Sequence, residues 1–145
     1  MIPYGLDQGA ELIKLANLRF PSLTSHFWVG NAWAWQPPRR FDYVYTLYDC
    51  VPLTYLARYI RQVLETVVKP GGRLIIGAYG SRSRGRAPFD IAGFLRAEGY
   101  RLCGTSTVGQ PVVTAFAWLE AMTESEEVMN RGHQGRKVCR QGYCH

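Results

Sequence analysis

A length of 145 residues is that of one ordinary domain and leaves little room for a second. With 47% apolar and 19% charged residues, the composition is that of a folded chain and excludes intrinsic disorder. The net charge of +6 leaves a nucleic acid open as a partner, although the positive residues cluster only at Arg39, Arg40 and residues 81–86.

The first third of the chain predicts two strands around a helix. Residues 2–7 are a short apolar stretch typical of a strand, and apolar positions then recur at helical spacing over residues 10–20 until Pro21. Residues 26–29 are aromatic and β-branched and lead into a Gly-Asn turn, which predicts a second strand. A third strand is predicted at residues 41–47.

The middle of the chain predicts a long helix and a buried strand. Leu56 and Ile60 belong to one apolar face of the helix, whose first turn is expected to contain Pro52. The sequence KPGG at residues 69–72 predicts a tight turn, because proline fixes one torsion and glycine admits a positive φ. The apolar run at residues 73–79 then predicts a strand covered on both faces.

The last third predicts a polar loop, a short helix and a hairpin. The arginine-rich residues 81–86 form the loop, and residues 89–97 form a helix that ends at Gly99. Two strands, at residues 100–108 and 112–120, are joined by a short link and are therefore expected to pair antiparallel.

This order of elements predicts an α/β fold with a mainly parallel sheet that is closed by a C-terminal antiparallel hairpin. The domain comprises residues 1–121, and the polar residues 122–145, which have no periodicity, are predicted to form a flexible tail. The potential zinc ligands of the tail are His133, Cys139, Cys144 and His145. Their spacing is not that of a zinc site, so no metal is predicted.

Two features concern the compartment of the protein. The longest uncharged apolar run, residues 74–79, is far shorter than the roughly 20 residues that span a membrane, and the amino terminus lacks an export signal. The four cysteines are too sparse for a disulfide scaffold. The sequence therefore predicts a cytoplasmic protein without a membrane partner.

Four short segments, taken in register, resemble a known family. They are GLD at residues 5–7, GNA at residues 30–32, FDYV at residues 41–44 and VKPGGRLII at residues 68–76. With the terminal hairpin, they resemble the class I S-adenosylmethionine-dependent methyltransferases over about residues 2–120. The resemblance implies a Rossmann-like sheet, S-adenosylmethionine as cofactor and a small molecule as the methyl acceptor.

The resemblance also implies which residues hold the cofactor. Asp7 takes the place of the acidic residue whose carboxylate accepts bonds from both ribose hydroxyls, although Asp is also a common helix N-cap. Asn31 and Ala32 match the pair that contacts adenine, but Asn31 is equally a turn residue after a glycine. Leu47 and Tyr48 stand where the family lines the methionine end of the cofactor.

The sequence departs from the family at its amino end. The family's first strand and its GxGxG loop should stand before Gly5, where this sequence has only residues 1–4. The resemblance therefore implies an N-terminally truncated domain, and two interpretations stay open: an enzyme, or a non-catalytic remnant that folds and self-associates. Because the family's first strand lies between the second and the fourth, its loss would expose two strand edges, which predicts a homodimer.

The candidate residues for binding the methyl acceptor lie at or just after the ends of predicted strands. Asp49 is the candidate catalytic residue, which would orient or deprotonate the acceptor, although an Asp before a proline-initiated helix is more often an N-cap. Tyr79 is a candidate for lining the acceptor pocket, with ordinary packing as the alternative. Arg82 and Arg84 would attract an anionic substrate, or they belong to a solvated loop.

Overall fold

The computed structural model describes residues 1–123 together with Glu126 and Met129. Most of the predicted tail, residues 122–145, therefore lies outside the described residues, as do the tail histidines and cysteines. In the described part, no helix is both long and apolar enough to cross a membrane. The chain divides into two compact units, an amino-terminal unit, Met1–Pro38, and a carboxy-terminal unit, Arg39–His145.

The amino-terminal unit is a parallel strand pair with a connecting helix. Strand β1 is Gly5–Asp7, helix α1 is Ala10–Arg19, a short 3-10 helix covers Pro21–His26, and strand β2 is Phe27–Val29. The prediction that helix α1 stops at Pro21 is confirmed, because proline has no N–H to continue the helical hydrogen bonds. Asp7 lies opposite Val29, so both strands end at the same edge.

Aromatic rings hold this small unit together. Tyr4 stacks on His26 with ring centroids 4.3 Å apart, and it also stacks on Trp28 at 5.8 Å. Trp28 in turn contacts Trp35 at 5.4 Å. Helix α1 buries only Ile13, so the unit relies on stacked rings more than on a core of aliphatic side chains.

The carboxy-terminal unit contains a four-stranded mixed sheet. Its strands and helices are β3 (Phe41–Leu47), α2 (Leu53–Thr66), β4 (Val68–Tyr79), α3 (Ile91–Ala97), β5 (Gly104–Val108) and β6 (Thr114–Glu120). The strand order is β3-β4-β6-β5. β3 and β4 are parallel, and the β4–β6 and β5–β6 pairs are antiparallel, which confirms the predicted C-terminal hairpin.

The core of this unit lies between one face of the sheet and its two helices. Leu74, Ile76 and Ala78 alternate along β4 and are fully buried. Leu56 and Leu95 bring α2 and α3 onto that face, and both side chains are also fully buried. The apolar pattern predicted the buried face of β4 correctly, since burial of this kind is the main favourable term in folding. The expectation that β4 is covered on both faces is wrong, because Arg73 and Tyr79 on its other face are exposed.

The structure corrects two local predictions. Residues 69–72 do not form a separate turn, because β4 begins at Val68 and continues through them. Phe41 of β3 pairs with Val68, and the next pair is Tyr43 with Arg73. Between these two pairs β4 has three more residues than β3, and the extra residues bulge out of the ladder. Pro52 is the N-cap of α2 and precedes the first helical turn.

Candidate functional site

Asp7 lies at the carboxyl end of β1 and is exposed. Its Oδ1 accepts a hydrogen bond of 2.7 Å from the backbone N–H of Gly9, which is the N-cap of α1. Asp7 therefore does not occupy the cap position itself, and it orients the cap residue through its side chain. The backbone carbonyl of Asp7 accepts a bond from the N–H of Gly30 at 2.9 Å, which ties it to the turn after β2.

Asn31 and Ala32 follow β2 at the same edge of the strand pair. The side-chain Oδ1 of Asn31 accepts a hydrogen bond of 2.9 Å from the N–H of Trp33, and its carbonyl accepts one of 3.0 Å from Ala34. This is an Asx turn, so the turn interpretation of Asn31 is confirmed. Asp7 lies at the carboxyl end of β1 and Asn31 just beyond that of β2, and α/β folds bind ligands at the carboxyl ends of parallel strands.

The carboxyl ends of β3 and β4 carry the other predicted residues. Leu47 ends β3 and is partly buried. The Tyr48 ring stacks on Phe89 with centroids 4.8 Å apart and 8° between the planes, so this ring is already packed. Asp49 is exposed in the short 3-10 helix Tyr48–Cys50. The N-cap of α2 is Pro52, so the N-cap interpretation of Asp49 is wrong.

Tyr79 ends β4 and is joined to a residue that the sequence analysis missed. Its hydroxyl lies 3.0 Å from the hydroxyl of Tyr45, a hydrogen bond in which either oxygen can donate. Both rings contact Phe116 of β6, with centroid distances of 6.3 Å from Tyr45 and 6.2 Å from Tyr79. Tyr79 therefore packs against Phe116, as the alternative interpretation of this residue predicted, but its side chain remains half exposed. The alternation of Tyr43, Tyr45 and Leu47 on one face of β3 is the sequence signal that could have identified Tyr45.

The electrostatics of β3 differ between its two faces. Burial, the hydrogen bond to Tyr79 and the nearby Cys50 and Asp49 raise the pKa of the Tyr45 phenol, which therefore stays protonated at neutral pH. On the other face, Thr46 Oγ1 lies 2.9 Å from the Tyr59 hydroxyl in a buried hydrogen bond. Burial also raises the pKa of Tyr59.

Arg82 and Arg84 are exposed in the loop after β4. Two backbone hydrogen bonds between Ser81 and Arg86, of 2.7 and 2.9 Å, close this loop. The predicted loop is therefore confirmed, and it follows directly after Tyr79, the last residue of β4.

A cavity of about 450 Å³ lies at the opposite end of β3 and β4. Its lining includes Asp42, Tyr43, Lys69, Gly72, Arg73 and Glu120. Lys69 Nζ donates to Asp42 Oδ1 at 2.8 Å, and this bond holds the pKa of the Asp42 carboxyl below its ordinary value. None of the site residues predicted from the sequence lines this cavity, so the cavity and the predicted residues are separate features.

Comparison with known proteins gives structural neighbours only. No family model matches the chain, and no curated protein matches it. N-methyltransferase NodS from Bradyrhizobium japonicum WM9, solved in complex with S-adenosyl-L-homocysteine, aligns with a TM-score of 0.51 and 16% identity. The alignment covers 81% of this chain and 77% of NodS.

Two further neighbours are O-methyltransferases. An O-methyltransferase family protein from Burkholderia thailandensis aligns with a TM-score of 0.56 and 16% identity, over 82% of this chain and 43% of its own. An O-methyltransferase family 2 protein from Planctomyces limnophilus DSM 3776, in complex with apigenin, aligns with a TM-score of 0.53 and 15% identity. This alignment covers 79% of this chain and 42% of the neighbour. The chain therefore has the fold of the class I S-adenosylmethionine-dependent methyltransferases, as the resemblance predicted.

Proposed function

We propose that the protein binds S-adenosylmethionine and transfers its methyl group to a small-molecule acceptor. The observation that carries the proposal is the position of the predicted residues in this fold. Asp7 and Asn31 follow the ends of parallel strands in one unit, and Asp49 and Tyr79 do so in the other. Among the structural neighbours, NodS was solved with S-adenosyl-L-homocysteine.

The chemistry of the donor set fits the adenosine part of the cofactor. The exposed Asp7 carboxylate can accept bonds from two ribose hydroxyls, and its contact with Gly9 occupies Oδ1 alone. Asn31 and the N–H of Ala32 would contact the adenine, while Leu47 and Tyr48 would line the methionine end. The sequence contains no GxGxG motif, so the fit is limited to the adenosine part.

The acceptor roles belong to residues of the carboxy-terminal unit. When bound, the cofactor supplies a methyl carbon that its sulfonium activates for in-line attack, so the protein contributes mainly positioning and exclusion of water. Asp49 would orient the acceptor or take its proton, because it is exposed and is not the N-cap of α2. Tyr79 would line the acceptor pocket, and Arg82 and Arg84 would attract an anionic part of the acceptor.

Calorimetric titration of the full chain with S-adenosylmethionine and S-adenosyl-L-homocysteine tests the proposal. We expect saturable binding of both, and weaker binding by the Asp7→Ala variant. The Glu11→Ala variant is the control, since Glu11 is an exposed acid in the first turn of the neighbouring helix α1. Absence of saturable heat with both ligands would contradict the proposal.

The second candidate function is a non-catalytic, self-associating protein with a methyltransferase fold. The strand edges of β1 and β3 favour it, because among the described strands each of the two pairs with a single neighbour. In this case the chain would dimerise without binding either ligand. We place both candidates in the cytoplasm, because the cysteines are too sparse for a secreted disulfide scaffold.

A further inference from the structure

Three aromatic side chains meet on the sheet face that is opposite the buried core face of the carboxy-terminal unit. We call Tyr45, Tyr79 and Phe116 the aromatic site. The two phenol oxygens are 3.0 Å apart, and the Tyr79 and Phe116 rings meet edge to face at 88°. Tyr45 is 52% and Tyr79 48% exposed, so both rings offer surface to a ligand.

A glycine forms the floor of the aromatic site. Gly77 pairs with Leu47 on one side and with Phe116 on the other. A Cβ at this position would lie 2.7 Å from Tyr45 Oη and 3.1 Å from a Phe116 ring carbon. A side chain at this position would therefore have to displace the Tyr45 and Phe116 rings, and glycine leaves room for them.

The Asp49 carboxylate acts electrostatically on the aromatic site, because it is one of the groups that raise the pKa of the Tyr45 phenol. Asp49 is exposed in the short 3-10 helix Tyr48–Cys50, which directly follows β3. The electron-rich ring faces add to the negative potential of this carboxylate, because an aromatic quadrupole is negative above the ring.

We propose that the aromatic site and Asp49 together bind an organic ammonium group. Aromatic ring faces beside a carboxylate are the arrangement that attracts such cations. The identification of this ligand as the methyl acceptor, an amine, rests on the proposed function, whereas the binding site itself does not. An amine carries positive charge at neutral pH, so Asp49 would both attract it and accept a hydrogen bond from it.

Choline and 3,3-dimethylbutan-1-ol provide a matched pair of probes, because they have the same shape and only choline is charged. Titration of the full chain, followed by shifts of tyrosine ring signals in NMR spectra, measures binding of each. We expect choline to bind and the neutral alcohol to bind at least about 10-fold more weakly. Equal binding of the two probes, or tighter binding of the anionic ring compound benzoate, would overturn the proposal.

Substitutions of Tyr45 distinguish the contribution of its ring to choline binding from that of its hydroxyl group. Tyr45→Leu should weaken choline binding by about 3- to 30-fold, and Tyr45→Phe should leave it close to wild type, because the ring persists. Asp49→Asn should weaken it by about two- to five-fold. Tyr43→Leu is the control, since Tyr43 is an exposed tyrosine two residues away on the same strand face. Unchanged binding by Tyr45→Leu, or equal losses with Leu and Phe, would contradict the role of the ring.

The choline experiment is independent of methyl transfer. Choline nitrogen is already fully substituted and cannot accept another methyl group, and its binding is measured without the cofactor. If choline binds while S-adenosylmethionine does not, the proposed function fails and the ammonium site stands. If the cofactor binds while choline does not, the proposed function stands and the ammonium site is overturned.

Discussion

The Asp7 side chain makes a local hydrogen bond and is also the proposed ribose ligand, so its substitution has two separable effects. Asp7→Ala removes both the bond to the Gly9 N–H and the carboxylate. We expect adenosine to bind this variant about 1.5–3 kcal/mol more weakly, which is the usual range for hydrogen bonds to a charged group. Isothermal titration with adenosine measures the loss.

Asp7→Asn distinguishes the two effects. The amide oxygen of asparagine can still accept from Gly9, so the start of α1 is preserved while the charge is lost. We expect Asp7→Asn to lower the adenosine affinity but to leave the free energy of unfolding close to that of the wild type. Wild-type adenosine affinity in both variants would show that Asp7 serves only the helix start.

Buried phenols make the stability of the fold sensitive to alkaline pH. Burial raises the pKa of Tyr59 and of Tyr100, and it contributes most to the raised pKa of Tyr45. In the unfolded chain these phenols titrate near pH 10, so above that pH the unfolded state binds fewer protons than the folded state. The free energy of unfolding should therefore be unaffected below about pH 9 and should fall as the pH rises above about 10.

Urea unfolding at several alkaline pH values checks this expectation. Tyr59→Phe removes one of the buried phenols, so it should make the fall with pH shallower. Tyr43→Phe, which changes an exposed phenol of β3, is the control. If the free energy of unfolding stayed constant or increased at pH values above 10, these phenols would not be held protonated in the folded state, and the prediction would be contradicted.

At the level of elements, the bulge of β4 sets the register of the β3–β4 pair. Gly71 has a φ of +72°, which glycine adopts freely, and a Cβ at Gly72 would lie 2.9 Å from the carbonyl oxygens of Asp42 and Lys69. Gly72→Ala should therefore lower the free energy of unfolding by about 1–3 kcal/mol, because backbone atoms must shift. Denaturant titration of the purified variant gives this value.

Gly85→Ala is a control for the loss of a glycine that has no close contact. Gly85 has a positive φ of +57°, which Gly72 does not, but a Cβ there would meet nothing within 4 Å. This variant should lose about 1 kcal/mol from backbone strain alone and should leave the sheet unchanged. A loss clearly below about 1 kcal/mol for Gly72→Ala would show that the close contact at the bulge is unimportant.

At the level of the whole molecule, each sheet presents a strand edge. Among the described strands, β1 pairs only with β2, and β3 pairs only with β4. Unpaired strand edges of this kind favour pairing with another chain. We therefore expect a homodimer, which light scattering at micromolar concentration would detect as twice the chain mass of 16.4 kDa. A compact monomer with a cooperative thermal transition would contradict this prediction.

The sequence alone was sufficient for the order and type of most elements. Helix α1 ends before Pro21 because proline lacks the N–H that a helix needs, and α3 ends before Gly99, whose φ of +85° suits a helix end. Asp7 and Tyr79 lie at strand ends for an equally local reason, since a strand stops where its apolar pattern stops. Each of these features depends on only a few neighbouring residues, so the sequence is enough to predict it.

The pairing of residues across the sheet depends on long-range packing and was not predictable from the sequence. Tyr45 and Tyr79 are 34 positions apart, and their hydroxyls meet because the three-residue bulge shifts β4 against β3 and because Gly77 leaves room above the sheet. The sequence shows that both tyrosines are on strands, but not the register that brings them together. Register depends on the alignment of all residue pairs between two strands, so one bulge changes every contact beyond it.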